Sequence, residues 1–303
     1  MSQRIIYYAQ TQFQNPCNGQ GYYSLAPIAQ TLNPVSHRPY ATHVILAAFN
    51  MGPSASNPFN MQPYLHRNDL PLASSLYNQV WTDVATLRSA GVPVMMLLGG
   101  AGAELQGTNS CGIQYDNDTW GALARDFGTY YGLLKSAVQT YNLAGVDLDV
   151  ENDVDLGLVL QLIRQLRSDF GSGFIITAAP VASALCGGGN LSGFSYVELE
   201  QQAGADIDWY NGQFYNGFGE PTLANYQSIV TYQNGIFPPE KVIIGTNSSA
   251  PGQYPQLLSN IPAIMGQYPS FGGADLWEYY NAPPQPSQPV EWSIGIAAAM
   301  KVS

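Results

Sequence analysis

Charge is what this sequence has least of. Only 10% of its 303 residues are Asp, Glu, Lys or Arg, against about 25% in ordinary soluble domains. Bases are fewer than acids, 10 against 21, and the net charge is -11. That balance argues against nucleic acid and against anionic membranes, both of which need a basic surface. An uncharged, Asn-, Gln-, Ser-, Thr- and Tyr-rich surface suits a neutral sugar polymer or glycan better. Histidine is limited to His37, His43 and His66, and cysteine to Cys17, Cys111 and Cys186. So scattered a set offers no zinc spacing. At most one intramolecular disulfide can form, and its pairing is open. No apolar run is long enough to span a bilayer. Met1-Ser2-Gln3-Arg4 leads straight into a strand-like run without an apolar leader. The compartment therefore stays open between the cytosol and secretion after removal of a leader, with secretion the favoured expectation. Sequons at Asn117, Asn190 and Asn247 are about as many as chance gives and decide nothing.

What is present is a steady alternation of strand-like and helix-like segments. Strands are expected at 4–9, 42–49, 93–98, 146–151, 174–178, 208–214, 241–245 and 273–277. Helices are expected around 23–32, from about 71 to 90, over 119–141, from Leu156 through Leu166, from Ser195, and over 223–233, 254–268 and 291–302. The apolar residues Leu158, Val159, Leu162, Ile163 and Leu166 recur at helical spacing, and Asn152 or Asp153 could cap that helix. Eight strand–helix units without a break in composition predict an α/β fold, a single (β/α)8 barrel of the TIM type spanning residues 1–303. The alternative, an open doubly wound sheet, wants a Gly-rich loop after its first strand. Tyr7-Tyr8-Ala9-Gln10 is no such loop.

One stretch organises the rest. In Leu143-Ala144-Gly145-Val146-Asp147-Leu148-Asp149-Val150-Glu151-Asn152-Asp153, apolar Val146, Leu148 and Val150 alternate with Asp147, Asp149 and Glu151. Period two gives a strand with two unlike faces, one packed outward on helices and one carrying carboxyls about 6.6 Å apart. Adjacent acids repel, so at least one should hold a proton near neutral pH. A protonated carboxyl beside an ionised one is what glycoside hydrolysis uses. A calcium-binding hand loop is excluded, because its sixth and twelfth positions, counted from Asp147, hold Asn152 and Leu158 where Gly and Glu are needed. A solvated strand face fits poorly with alternating Val and Leu.

The stretch is similar to the signature D-G-x-D-x-D-x-E of glycoside hydrolase family 18, the chitinases and endo-β-N-acetylglucosaminidases. The departure is Ala144, which stands where the signature has its first Asp; the three inner acids are intact. Thr42 through Phe49, Leu98-Gly99-Gly100 and Gly272 through Asn281 resemble the family's second, third and eighth strands. His66-Arg67-Asn68-Asp69, Thr177 through Ala182, Asn190 through Tyr196 and Asp206 through Asn211 resemble fungal endo-β-N-acetylglucosaminidases of this family, although fungal chitinases share several of those segments.

The resemblance implies a retaining, substrate-assisted hydrolase without an enzyme nucleophile, the exception to the two-carboxylate scheme. Glu151 would be the acid and base, and Asp149 would orient the substrate's 2-acetamido group, whose oxygen attacks C1 to give an oxazolinium ion. Asp147 would hydrogen-bond Asp149 and share its proton. Tyr215 would donate to the acetamido group and Trp277 would floor the sugar. Gln213, Asn216 and Gly100 would add contacts, and Tyr7 and Phe49 would wall the pocket. Cis peptides are expected near Ala48-Phe49 and at Trp277-Glu278. The implied substrate is the core of an oligomannose N-glycan, with chitin or chito-oligosaccharides the alternative, and the chain is expected to act as a monomer. A non-catalytic carbohydrate-binding barrel is a second alternative, disfavoured because such barrels usually lose Glu151 or its Asp partner. A metal-dependent barrel hydrolase would need ligands at other strand ends, where His and Asp are scarce. The loops 50–71, 101–117 and 182–193 would decide between glycan and chitin.

Overall fold

A computed structural model describes residues 3–52 and 63–301. Eight parallel strands close into a barrel: Arg4–Ala9, His43–Gly52, Val94–Gly99, Gly145–Asp149, Ile175–Ala178, Trp209–Gln213, Val242–Asn247 and Gly273–Trp277. Each pairs with its sequence neighbour, and the first pairs with both the second and the eighth, so the ring has no free edge. The fold is the (β/α)8 barrel expected from the alternation.

Strand alternation divides the core into two layers. Ile5, Tyr7 and Ala9 of the first strand and Val146 and Leu148 of the fourth face outward and pack with the helices. Ile6, Tyr8, Ile45, Ala47, Met95, Leu97, Trp209 and Ile243 fill the barrel interior. The helix Leu156–Phe170 buries Leu158, Val159, Leu162, Ile163 and Leu166 against the outer face, and ends at Gly171, whose φ of 75° suits a residue without Cβ. Its N-cap is Asp155, not Asn152 or Asp153.

Other differences have local causes. The helix expected over 119–141 is two, Thr119–Arg125 and Phe127–Tyr141, because Asp126 leaves helical geometry and its side chain caps the second through the Thr129 N–H. The expected long loop after the second strand contains a hairpin, Tyr64–Arg67 with Leu70–Pro71, the first arm of which pairs antiparallel with the second strand. Of that loop, residues 53–62 lie outside the described residues, as does the expected helix end at Val302. Cys17 and Cys111 form the disulfide, leaving Cys186 free. Among the described residues, no helix is long and apolar enough to cross a membrane.

Candidate active site

The outward set of the fourth strand fixes its inward set. With Val146 and Leu148 held in the helix layer, Asp147 and Asp149 must point into the barrel, where they are 0% and 5% exposed. Glu151, two residues beyond, carries the file into a cleft of about 680 Å³ at the C-terminal ends of the strands, the face on which barrel enzymes place their chemistry.

Asp147 sits deepest. One carboxylate oxygen accepts from the Tyr8 hydroxyl at 2.8 Å; the other accepts from the Thr177 hydroxyl at 2.5 Å and from Asn211 Nδ2 at 3.1 Å. The Asn211 amide is itself oriented by Trp209 Nε1, which donates to its oxygen at 2.8 Å. Burial raises the Asp147 pKa, and the three donors pull it back. Asp149 is raised well above the usual carboxylate range, by burial first and then by the charges of Glu151 and Asp147. Its contact with Glu151 works in the same direction. Asp147, expected to hydrogen-bond Asp149, takes its hydrogen bonds from Tyr8, Thr177 and Asn211. Gln213 Nε2 reaches Asp149 Oδ1 at 3.3 Å, Glu151 Oε1 at 3.1 Å and the Ala179 carbonyl at 3.0 Å, tying the two acids to the fifth and sixth strands.

Close approach of the third strand explains Gly99-Gly100. A Cβ on Gly99 would lie 2.3 Å from the Asp149 carbonyl, and one on Gly100 3.2 Å from Asp149 Oδ2; both residues have positive φ, 103° and 84°. Tyr215, Asn216, Gln213, Gly100 and Trp277 all line the same cleft as Glu151. Burial, and then the neighbouring carboxyls of Asp275, Asp149 and Glu151, raise the Tyr215 pKa, so its hydroxyl keeps its proton. Trp277 leans on Tyr8, with ring centroids 5.6 Å apart.

Two expected pocket residues are elsewhere. Tyr7 faces the helix layer, where its hydroxyl donates to the Pro289 carbonyl and accepts from the Ser293 N–H, and its ring packs on Tyr279 and Trp292. Tyr8 is the inward tyrosine. Phe49 is fully buried in the outer core, while Ala48 lines the cleft. Strand register slips between Leu46 and Phe49, so simple alternation fails there. The cis peptides are Ala47-Ala48, one residue earlier than expected, and Trp277-Glu278 as expected.

Tyr8, Thr177, Asn211 and Asp275 are site residues that sequence reasoning did not single out. Asp275 is 2% exposed. Its carboxyl fits the space left by Gly245, whose Cβ would come 2.7 Å from Asp275 Oδ1. Oδ2 has no hydrogen-bond partner among the described residues. Asp275 helps raise the pKa of Tyr8 and of Tyr215, and Asp147 acts on it in turn. Burial and then Asp147 raise its pKa well above the usual carboxylate range. The folded state thus holds a proton that the unfolded Asp releases near pH ~4, and stability falls as pH rises from there toward the folded pKa. Asp275→Asn carries no such proton. Its melting temperature relative to the native protein should climb between about pH 4 and pH 8, with one proton supplying a slope of up to ~1.4 kcal/mol per pH unit. A pH-independent difference would show that Asp275 is not held protonated.

Among the described residues, no three His, Cys, Asp or Glu side chains converge as a metal site. No family model matches the chain. Solved structures superpose on nearly all of it. A fungal endo-β-N-acetylglucosaminidase from glycosyl hydrolase family 18 gives a TM-score of 0.81 at 34% identity, over 98% of this chain and 97% of that one. Chitinase ChiC of Aspergillus fumigatus gives 0.75 at 35% identity, over 99% and 100%. Chitinase 2 of Rhizopus oligosporus is 28% identical over 220 residues, which cover 67% of this chain and 37% of that protein. The endochitinase of Saccharomyces cerevisiae is 28% identical over 217 residues, 67% of this chain and 36% of its own length. The aligned region thus spans little more than a third of these two relatives.

Proposed function

Because the chain belongs to glycoside hydrolase family 18, we propose that its cleft hydrolyses a β-1,4 bond between N-acetylglucosamines with retention of configuration and without an enzyme nucleophile. The observation that carries this is the file Asp147, Asp149, Glu151, with Gln213 Nε2 donating to both of its outer members. Glu151, at the cleft surface, protonates the glycosidic oxygen and later takes the proton of the attacking water. Asp149 turns from Glu151 to the acetamido N–H, orients the carbonyl oxygen toward C1 and offsets the positive charge of the oxazolinium ion. Asp147, held by three donors, keeps a fixed negative neighbour behind it. Tyr215 donates its retained proton to the acetamido oxygen, and Trp277 floors the ring. Asn216 and Gly100 border the sugar.

The substrate we infer is the di-N-acetylchitobiose core of an oligomannose N-glycan. Its support is the likeness to the fungal endo-β-N-acetylglucosaminidase along almost the entire chain, together with the low surface charge. Chitin stands as the second reading on the equal identity to ChiC. An oligomannose glycoprotein should be left with a single N-acetylglucosamine on each Asn, which mass spectrometry before and after digestion reads directly. An untouched glycan beside digested chitohexaose transfers the function to chitin hydrolysis. If neither is cut between about pH 4 and pH 8, the carbohydrate-binding alternative replaces both.

A further inference from the structure

The disulfide Cys17–Cys111 joins two loops on the mouth of the barrel. One follows the first strand and the other the third, and the second strand lies between them in the sheet. The bond is therefore a strap across that sector. The hairpin Tyr64–Pro71 is built on the same second strand. Its two turn residues, Asn68 and Asp69, have φ of 47° and 59°, the geometry of a tight two-residue hairpin loop.

These three segments lock one another. Arg67 Nη2 donates to the carbonyls of Ala9 and Gln10 at 2.8 and 3.1 Å, and Asn68 Nδ2 donates to that of Gln10 at 2.8 Å. Glu278 accepts from the Gln10 and Thr11 N–H groups and from the Thr11 hydroxyl. Asn109 Nδ2 donates to Asp69 at 3.5 Å. Pro16 and Cys111, at the two sides of the strap, and Arg67 and Leu70 of the hairpin line the same cleft as Glu151. On the opposite side Leu191 and Asn216 line it from exposed positions, and no disulfide ties their loops.

The strapped end also holds buried polar atoms without hydrogen-bond partners among the described residues: Arg67 Nε and Nη1, and Gln12 Oε1. Arg67 is 0% and Gln12 3% exposed, and leaving such buried atoms unpaired is costly. Both donors and acceptors are thus available beside this end, the combination that sugar hydroxyls satisfy, directly or through water.

We propose that the Cys17–Cys111 strap makes this end of the cleft a blind pocket for a terminal neutral sugar, so that cuts fall at a fixed distance from a chain end or branch tip. A running polymer chain is then excluded from threading through. The inference rests on the hydrolase reading above and adds the class of chain it accepts, a bounded one.

The test sizes fragments by mass spectrometry from chitotetraose, chitopentaose and chitohexaose labelled at the reducing end. Intact protein is compared with Cys17→Ser/Cys111→Ser and with native protein reduced after folding and alkylated at those two cysteines, which covers a double variant that does not fold. Melting curves confirm that each form is folded. Intact protein should release one fragment size from the blocked end whatever the chain length. The strap-cut forms should spread the cuts, lowering the ratio of fixed to other cuts at least ~10-fold, or about 1.4 kcal/mol in selectivity. An even spread from intact protein, or the same pattern from all forms, overturns the strap. Digestion of an oligomannose glycopeptide in parallel scores the substrate separately. A strap-dependent pattern with an uncut glycopeptide removes the N-glycan and keeps the blind end.

Discussion

Replacing Glu151 by Gln should lower the hydrolysis rate on an unactivated glycan at least ~10²-fold, the ordinary worth of a positioned general acid and equal to about 2.7 kcal/mol. Gln preserves the shape of the side chain and an oxygen for Gln213 Nε2, which reaches Glu151 Oε1 at 3.1 Å. What it removes is the transferable proton. The loss should therefore be smaller on an aryl glycoside, whose leaving group departs without protonation. A steady-state comparison of the two substrates separates lost acid catalysis from a disturbed cleft, since disturbance would slow both alike. Equal rates for variant and native protein on the unactivated glycan would remove Glu151 from the acid role.

How far such a site can be read from sequence depends on whether a strand's two faces differ. In the fourth strand they differ completely, apolar against acidic, and Asp147 and Asp149 point where alternation says they should. In the first strand they do not differ: from Ile5 to Ala9 it is apolar or aromatic on both sides and buried on both, as parallel barrel strands are. Nothing in Tyr7-Tyr8 tells which tyrosine enters the barrel. At Phe49 alternation is interrupted by the register slip after Leu46, which no periodicity announces. Asp275 was hidden differently. It stands between Ala274 and Leu276 in a strand recognised by its resemblance, and only the space above Gly245 shows that the barrel has room for a carboxyl. The pairing of Cys17 with Cys111 spans 94 residues and becomes evident only when the first and third strands are seen to flank the second. How many donors reach each acid is a count that requires the fold.

Asp149→Asn is the sharper test of the scheme, because it should divide one reaction into two halves. Asp149 is buried, and burial and its acidic neighbours Glu151 and Asp147 raise its pKa. For the acetamido oxygen to attack C1, the proposed mechanism needs a carboxylate at this position to accept the acetamido N–H and face the growing positive charge. Asn can present an oxygen but never a charge. Losing one preorganised electrostatic contact of this kind typically lowers a rate ~10²- to 10³-fold, and hydrolysis of the intact glycan should fall by that much. A preformed sugar oxazoline has already passed the step that Asp149 serves. Glu151 remains to activate its acceptor, so the variant should still consume oxazoline, transferring it to a sugar acceptor faster than it hydrolyses the product. Folding should survive, since the substitution keeps a side chain of the same shape and places a neutral amide where burial disfavours a charge. Measured together, glycan hydrolysis, oxazoline consumption and the melting temperature distinguish the outcomes. Loss of the first alone places Asp149 before the oxazolinium ion. Loss of the first two with unchanged melting would give Asp149 a part in both halves, and near-normal hydrolysis would show that the acetamido group is oriented by something else.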